Sequence, residues 1–186
     1  AIAVMENRRV LPVKVPQEGV DYEVIGVPKD LAGAYALAKQ DRYEFQYWAV
    51  GLIKGRPVSD ERKKGADKGI DGFISFLDDH ADKPRRAIVQ VKSGHVGVKD
   101  IRELKDVSSK EAMGVFITLE PPTHDMMVEA MSAGYYHSPL YDKDYPKIQI
   151  LTIEELFEGK TVDMPPAKPP FPKAQRVSID QQRELL

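Results

Sequence analysis

Four residues in two short stretches have the types and spacing for phosphoryl chemistry. Asp71 sits in Gly65–Gly72 (GADKGIDG), a glycine-flanked site for a kinked backbone, and Gln90-Val91-Lys92 lies in the alternating run AIVQVK. In a strand, alternate side chains share a face, so Gln90 and Lys92 point the same way while Val91 points into the core. If a hairpin brings Asp71 beside them, a carboxylate, an amide oxygen and an ammonium converge. Hard cations such as Mg²⁺ or Mn²⁺ take oxygen ligands of this kind, with Asp71 the anionic one. Gln90 is the neutral ligand and the Val91 carbonyl a further one. A bound cation makes its water more acidic and offsets charge on phosphate, and Lys92 is placed to orient that water or share the charge. Taken singly, Asp-Gly is an ordinary turn, and a Gln or Lys on a strand is an ordinary solvated residue. Only the combination points to chemistry.

The elements that must hold these residues can be traced along the chain. Leu31, Ala34, Ala38, Phe45, Ala49 and Leu52 recur at helical spacing, which predicts one helix over 30–53, capped by Asp30 and stopped by Gly55 and Pro57. Residues 70–77 (IDGFISFL) and 87–92 (AIVQVK) read as two strands of an antiparallel hairpin around a polar loop. A helix follows from Val98 to about Lys110, and then the apolar run MGVFITL (113–119), typical of a strand buried on both faces. Thr123 caps a helix running to Ala133 and closed by Gly134, Ile148–Leu151 forms a last strand, and Thr152 caps a final helix. The order helix, strand, strand, helix, strand, helix, strand implies crossover connections and a mixed, largely parallel sheet covered on both faces, an α/β domain. It occupies residues 29–160, between an irregular arm (1–28) and a proline-rich tail (161–186).

Composition sets outer bounds. The chain has 186 residues, no cysteine and a net charge of −2, so disulfides, thiolate zinc sites and cysteine nucleophiles are excluded. That usage is compatible with the cytoplasm, the expected location. No apolar run approaches the ~20 residues of a membrane helix, and the first residues lack the features of a signal peptide. The missing initiator Met suggests a piece of a longer polypeptide. The overall charge carries no nucleic-acid signature, yet Lys54–Lys68 holds six basic residues against three acidic ones. Taken alone, that segment is an ordinary solvated loop. Beside an acidic site, Lys63, Lys64 and Lys68 become candidates for DNA phosphates, as does Lys99 in the first turn of the helix after the second strand.

Two decoys are set aside. Asp67 to Asp78 imitates a calcium loop, but Gly69 and Asp78 replace required ligands and a strand follows. His80, His95, His124 and His137 have no metal spacing, and Tyr135-Tyr136 reads as packing against the last strand.

The segments GADKGIDGFISF and IVQVKSG resemble the Asp…Gln-x-Lys signature of the Mrr-like branch of the PD-(D/E)xK nucleases. YEFQYWAVGLI resembles that branch's first helix, VGVKDIRELKD the helix after the lysine strand, and MGVFITLEPPTHDMMVEAMSAG the next strand and helix. The likeness covers roughly Tyr43 to Gly134. It implies a restriction-endonuclease-like core of α-β-β-β-α-β type, a mixed sheet flanked by helices. It also implies a Mg²⁺- or Mn²⁺-dependent endodeoxyribonuclease in restriction-modification or defence. Asp71 is then the metal ligand, Gln90 stands where Asp or Glu is usual, Lys92 is the catalytic lysine, and Ser93 joins the DNA-contacting residues. The family's first helix often carries Glu after the Phe, where this chain has Gln46; a nearby acid could substitute, and of these Glu44 points to a different side while Asp41 lies on the apolar helix face. Asp67 could serve as an outer acid or metal ligand, and taken alone is a turn residue. A looser likeness to nuclease-like regions beside bacterial DNA methyltransferases implies such a partner, in cis or in trans. Cutting both strands usually takes two active sites, which makes a homodimer plausible. Two other readings stay open: a nuclease-fold module that docks DNA or a methyltransferase without hydrolysis, and a structure-specific repair or junction nuclease.

Overall fold

The computed structural model describes residues 27–58, 69–78 and 84–166. Most of the expected arm and tail, and Lys63, Lys64, Asp67, Lys68 and His80, lie outside these residues. Two helices open the described chain, α1 (Leu31–Gln40) and α2 (Arg42–Leu52). Asp30 caps α1 by accepting from Gly33 N–H at 2.7 Å. The single helix expected over 30–53 is broken at Asp41, whose backbone is extended (φ −148°, ψ 108°). Its carboxylate accepts from the N–H groups of Tyr43 and Glu44, at 2.8 and 3.1 Å, while its own N–H donates to Leu37 O. One residue ends α1 and caps α2. Asp41 is exposed at this junction, not set on an apolar helix face.

The central sheet joins β1 (Arg56–Pro57), β2 (Gly72–Phe76), β3 (Arg85–Lys92), β4 (Met113–Thr118) and β7 (Ile148–Thr152), in that order. β1, β2 and β3 pair antiparallel, β3, β4 and β7 parallel. The expected hairpin is β2–β3, with Gly72 opposite Val89 and Phe76 opposite Arg85. Helix α3 (Val98–Val107) makes the crossover from β3 to β4, and α4 (His124–Met131) follows β4. Thr123 caps α4 through Met126 N–H. Gly134 takes the left-handed conformation (φ 73°) beyond the end of α4. Thr152 and Glu155 form a reciprocal cap on α5 (Ile153–Phe157).

Alternation along β3 sorts the core into two layers. Val89 and Val91 pack with Phe45, Ala49 and Val50 of α2, whereas Ile88 packs with Ile101 and Leu104 of α3 and Met126 of α4. β4 is buried along its whole length, as its apolar run requires.

A second sheet, a hairpin of β5 (Tyr135–Ser138) and β6 (Lys143–Pro146), was not anticipated. It is tied to the end of β2, since the Tyr136 and Ser138 hydroxyls both donate to the buried Asp78 carboxylate. Tyr136 also meets Phe76 edge-on, at 6.0 Å between centroids. Tyr135 is exposed instead of packed. Beyond α5, Val162 and Met164 still pack on the α2 layer, and Asp163 exchanges hydrogen bonds with Gln149.

Candidate functional site

Glycines shape the approach to Asp71. Gly69 has φ +94°, which disfavours any side chain, and a Cβ there would lie 3.1 Å from Gln90 Nε2. At Gly72 a Cβ would meet Val50 Cγ1 at 2.6 Å and Arg56 O at 2.9 Å, so this glycine lets α2 and β1 close on β2. Between these two glycines, Asp71 N–H donates to Val89 O and Asp71 O accepts from Val58 N–H. The β2–β3 register ends at the Gly72–Val89 pair, and the Asp71 N–H bond to Val89 O keeps Asp71 at the edge of β3. The Asp71 carboxylate then takes over from the backbone ladder, its Oδ2 accepting from Val91 N–H at 2.8 Å.

Gln90 and Lys92 share the face of Ile88, towards α3, as alternation predicts. Gln90 is 2% exposed, and its Oε1 has no hydrogen-bond partner among the described residues. A buried acceptor left this way costs about 1–3 kcal/mol. Lys92 is about one-quarter exposed, with its ammonium 3.7 Å from Asp100 Oδ1. Asp100 stands in the first turn of α3, and its Oδ2 accepts from Gly97 N–H at 2.9 Å. Sequence reasoning missed Asp100. The available signal was an acid at the third position of a helix opening six residues after Lys92.

The other candidates fall into three groups. Gln46 is buried on α2, the helix that packs on the Val89–Val91 side of the sheet, opposite the Gln90–Lys92 face. Glu44 is exposed in the first turn of α2. Lys99 is exposed and pairs with Glu103 at 3.6 Å, and Ser93 is half-buried directly after β3. Asp67, Lys63, Lys64 and Lys68 fall outside the described residues.

A cavity of about 350 Å³ lies beside the loop after Lys92, lined by Gly94, His95, Val96, Glu120, Pro121 and Thr123. Tyr35 of α1 donates to Glu120 at 3.2 Å, and burial and that carboxylate raise its phenol above the ordinary value. The Asp71, Gln90 and Lys92 side chains do not line this cavity.

Among the described residues no three acids or histidines cluster to hold a metal. A Mg²⁺ or Mn²⁺ ion keeping most of its waters needs only one or two protein carboxylates. Asp71, Gln90 and Val91 offer a carboxylate, an amide oxygen and a backbone carbonyl, the donor types of that smaller need. The unsatisfied oxygen is the feature that fits best. Among the described residues no helix is long and apolar enough to cross a membrane.

Comparisons with known proteins agree on the fold. Residues 54–158 match the family described as NACHT-associated inactive Restriction Endonuclease 1. The matched stretch contains Asp71, Gln90, Lys92 and Asp100, and leaves out Gln46. A solved structure of the DNA modification-dependent restriction endonuclease AspBHI is similar over 77% of this chain and 39% of its own, at 15% identity and a TM-score of 0.51. The MspJI restriction endonuclease in complex with a 27-mer oligonucleotide is similar over 81% of this chain and 35% of its own, at 16% identity and a TM-score of 0.48. The chain thus spans well under half the length of either enzyme. No curated protein matches.

Proposed function

The chain belongs to the NACHT-associated inactive restriction endonuclease 1 family, and from that premise we propose that it is a DNA-acting domain that keeps a metal-dependent phosphodiester-hydrolysing site. The observation carrying this reading is the buried Gln90 oxygen, without a hydrogen-bond partner among the described residues, one residue before the Val91 N–H that donates to the Asp71 carboxylate. A fold retained only for docking gains nothing from an orphaned acceptor, whereas a cation site has a use for it.

Asp71, Gln90 and the Val91 carbonyl hold the ion in this reading. When bound, Mg²⁺ or Mn²⁺ supplies a more acidic water and offsets charge on the phosphate. Lys92 brings a positive charge to the end of β3, where its ammonium hydrogen-bonds a phosphate oxygen or orients the attacking water. Water adds to phosphorus, the bond to the leaving oxygen breaks, and that oxygen takes a proton. No covalent intermediate is needed, in keeping with a chain that has no cysteine.

The Gln-Val-Lys run supports placement in the Mrr-like branch, and DNA is the substrate class that goes with it. For a partner, the family's name points to NACHT, and a DNA methyltransferase has the looser sequence likeness behind it. A homodimer accounts for cutting both strands.

The test is nicking of supercoiled plasmid with Mg²⁺ by wild type, Asp71→Asn and Lys92→Ala. Asparagine can still accept from Val91 N–H, so the first variant removes charge and keeps the fold. Wild type is expected to nick, and each variant to lose about a hundredfold or more. Equal cleavage by all three, or none by wild type, refutes the proposal. Branched and linear duplexes in the same assay separate a restriction activity from a junction-resolving one.

A second reading has its own observation. Lys92 is engaged with Asp100, and the family's description includes the word inactive. A nuclease-fold module that docks DNA or a partner without hydrolysis follows from those two facts.

A further inference from the structure

We propose that Asp100 is the positioning residue for Lys92, an inference that rests on the hydrolytic reading. Lysine is a point charge on a flexible four-carbon stem, and by itself fixes no geometry. Here the stem leaves the last residue of β3, and the ammonium lies 3.7 Å from Asp100 Oδ1. The other oxygen of the same carboxylate accepts from Gly97 N–H at 2.9 Å. Gly97 N–H is an orphan donor at the start of α3, and Asp100 N–H returns a bond to Gly97 O at 3.0 Å. Asp100 therefore has a fixed place, set by the helix that packs Ile101 and Leu104 under the sheet. That place holds the lysine on the Gln90 face.

Both partners are partly covered, with side-chain exposures of 26% and 21%. The pair is thus shielded more than a surface ion pair and is not sealed from water. Lys99, the neighbouring base on α3, turns outward to Glu103 and does not compete. Asp100 meets Lys92 through one carboxylate oxygen and Gly97 N–H through the other. Its part is to hold Lys92.

Asp100→Asn separates this role from a structural one, because asparagine still accepts from Gly97 N–H and keeps the helix start. Two readouts are taken on the full chain. The first is labelling of Lys92 by an amine-reactive reagent without metal or DNA, mapped by peptide mass. Loss of the charged tether is expected to speed labelling about threefold, with Gly97 amide exchange unchanged. The second is plasmid nicking with Mg²⁺, where kcat is expected to fall about tenfold or more, the size of an ångström-scale misplacement, with KM for DNA unchanged. Asp100→Glu, which restores the charge at a position suited to either acid, is expected to reverse most of both changes. Unchanged Lys92 labelling in Asp100→Asn, or equal failure of the Glu variant, overturns the proposal. If wild type does not nick DNA, the hydrolytic reading fails by itself, and the labelling still decides whether Asp100 holds Lys92.

Discussion

Replacing Gln90 with methionine is expected to make the protein more stable and to remove the candidate site. Gln90 is 2% exposed, and its Oε1 is buried without a partner among the described residues. An unsatisfied buried acceptor costs about 1–3 kcal/mol. Methionine has nearly the same length and volume, is unbranched, and fits irregular space in a core. The substitution also gives up whatever the amide nitrogen contributes, about 1 kcal/mol for a typical hydrogen bond. The net expectation is a gain of about 1 kcal/mol, or about 2–4 °C in Tm for a chain of this size. The assay is thermal unfolding followed by circular dichroism in EDTA, with urea unfolding as a check that the m-value stays constant. A variant less stable than wild type by about 1 kcal/mol or more would show that the oxygen is satisfied in the folded protein. The argument from an orphaned acceptor would then collapse.

Three further outcomes follow from the packing. Asp41→Ala leaves the Tyr43 and Glu44 N–H groups without their shared acceptor and should cost about 1–2 kcal/mol in urea unfolding; no change would mean that the α1–α2 break is not held by this side chain. Gly72→Ala drives a methyl to 2.6 Å from Val50 Cγ1 and 2.9 Å from Arg56 O, and should destabilise by about 1–3 kcal/mol; a neutral result would contradict the close approach of α2 and β1. Hydrogen bonds from Lys105 and then Arg102 hold the Glu129 carboxyl below its ordinary value near 4.5. Its folded pKa is the lower one, so this stabilisation is complete above the ordinary value and is lost as pH falls through the folded value. Glu129→Gln should flatten that acid limb of stability, and identical limbs would refute the assignment.

Much of the site's frame was legible because it is written in local signals. The apolar run 113–119 is typical of a buried strand and forms one, and the caps Asp30, Thr123 and Thr152 stand where their residue types predict. The β2–β3 pairing followed from alternation and a polar loop, and brings Asp71 to Val91. What stayed hidden depends on contacts distant in sequence or on a single side chain's choice. Asp41 continues the helical spacing, so only its capping bonds reveal the break. The β5–β6 hairpin has strands of four residues each, and its anchor, Asp78, lies 58 residues before Tyr136. Asp100 is brought to Lys92 by the packing of α3 against the sheet, which its own sequence neighbourhood does not encode.

The central claim is that Asp71, Gln90 and Lys92 belong to a metal site, and calorimetric titration of the full chain with Mn²⁺ tests it most directly. One bound ion is predicted for wild type, with its binding heat abolished in Asp71→Asn. No binding heat in wild type, or equal binding by both proteins, would contradict the account, and retained DNA binding without metal would favour the docking module.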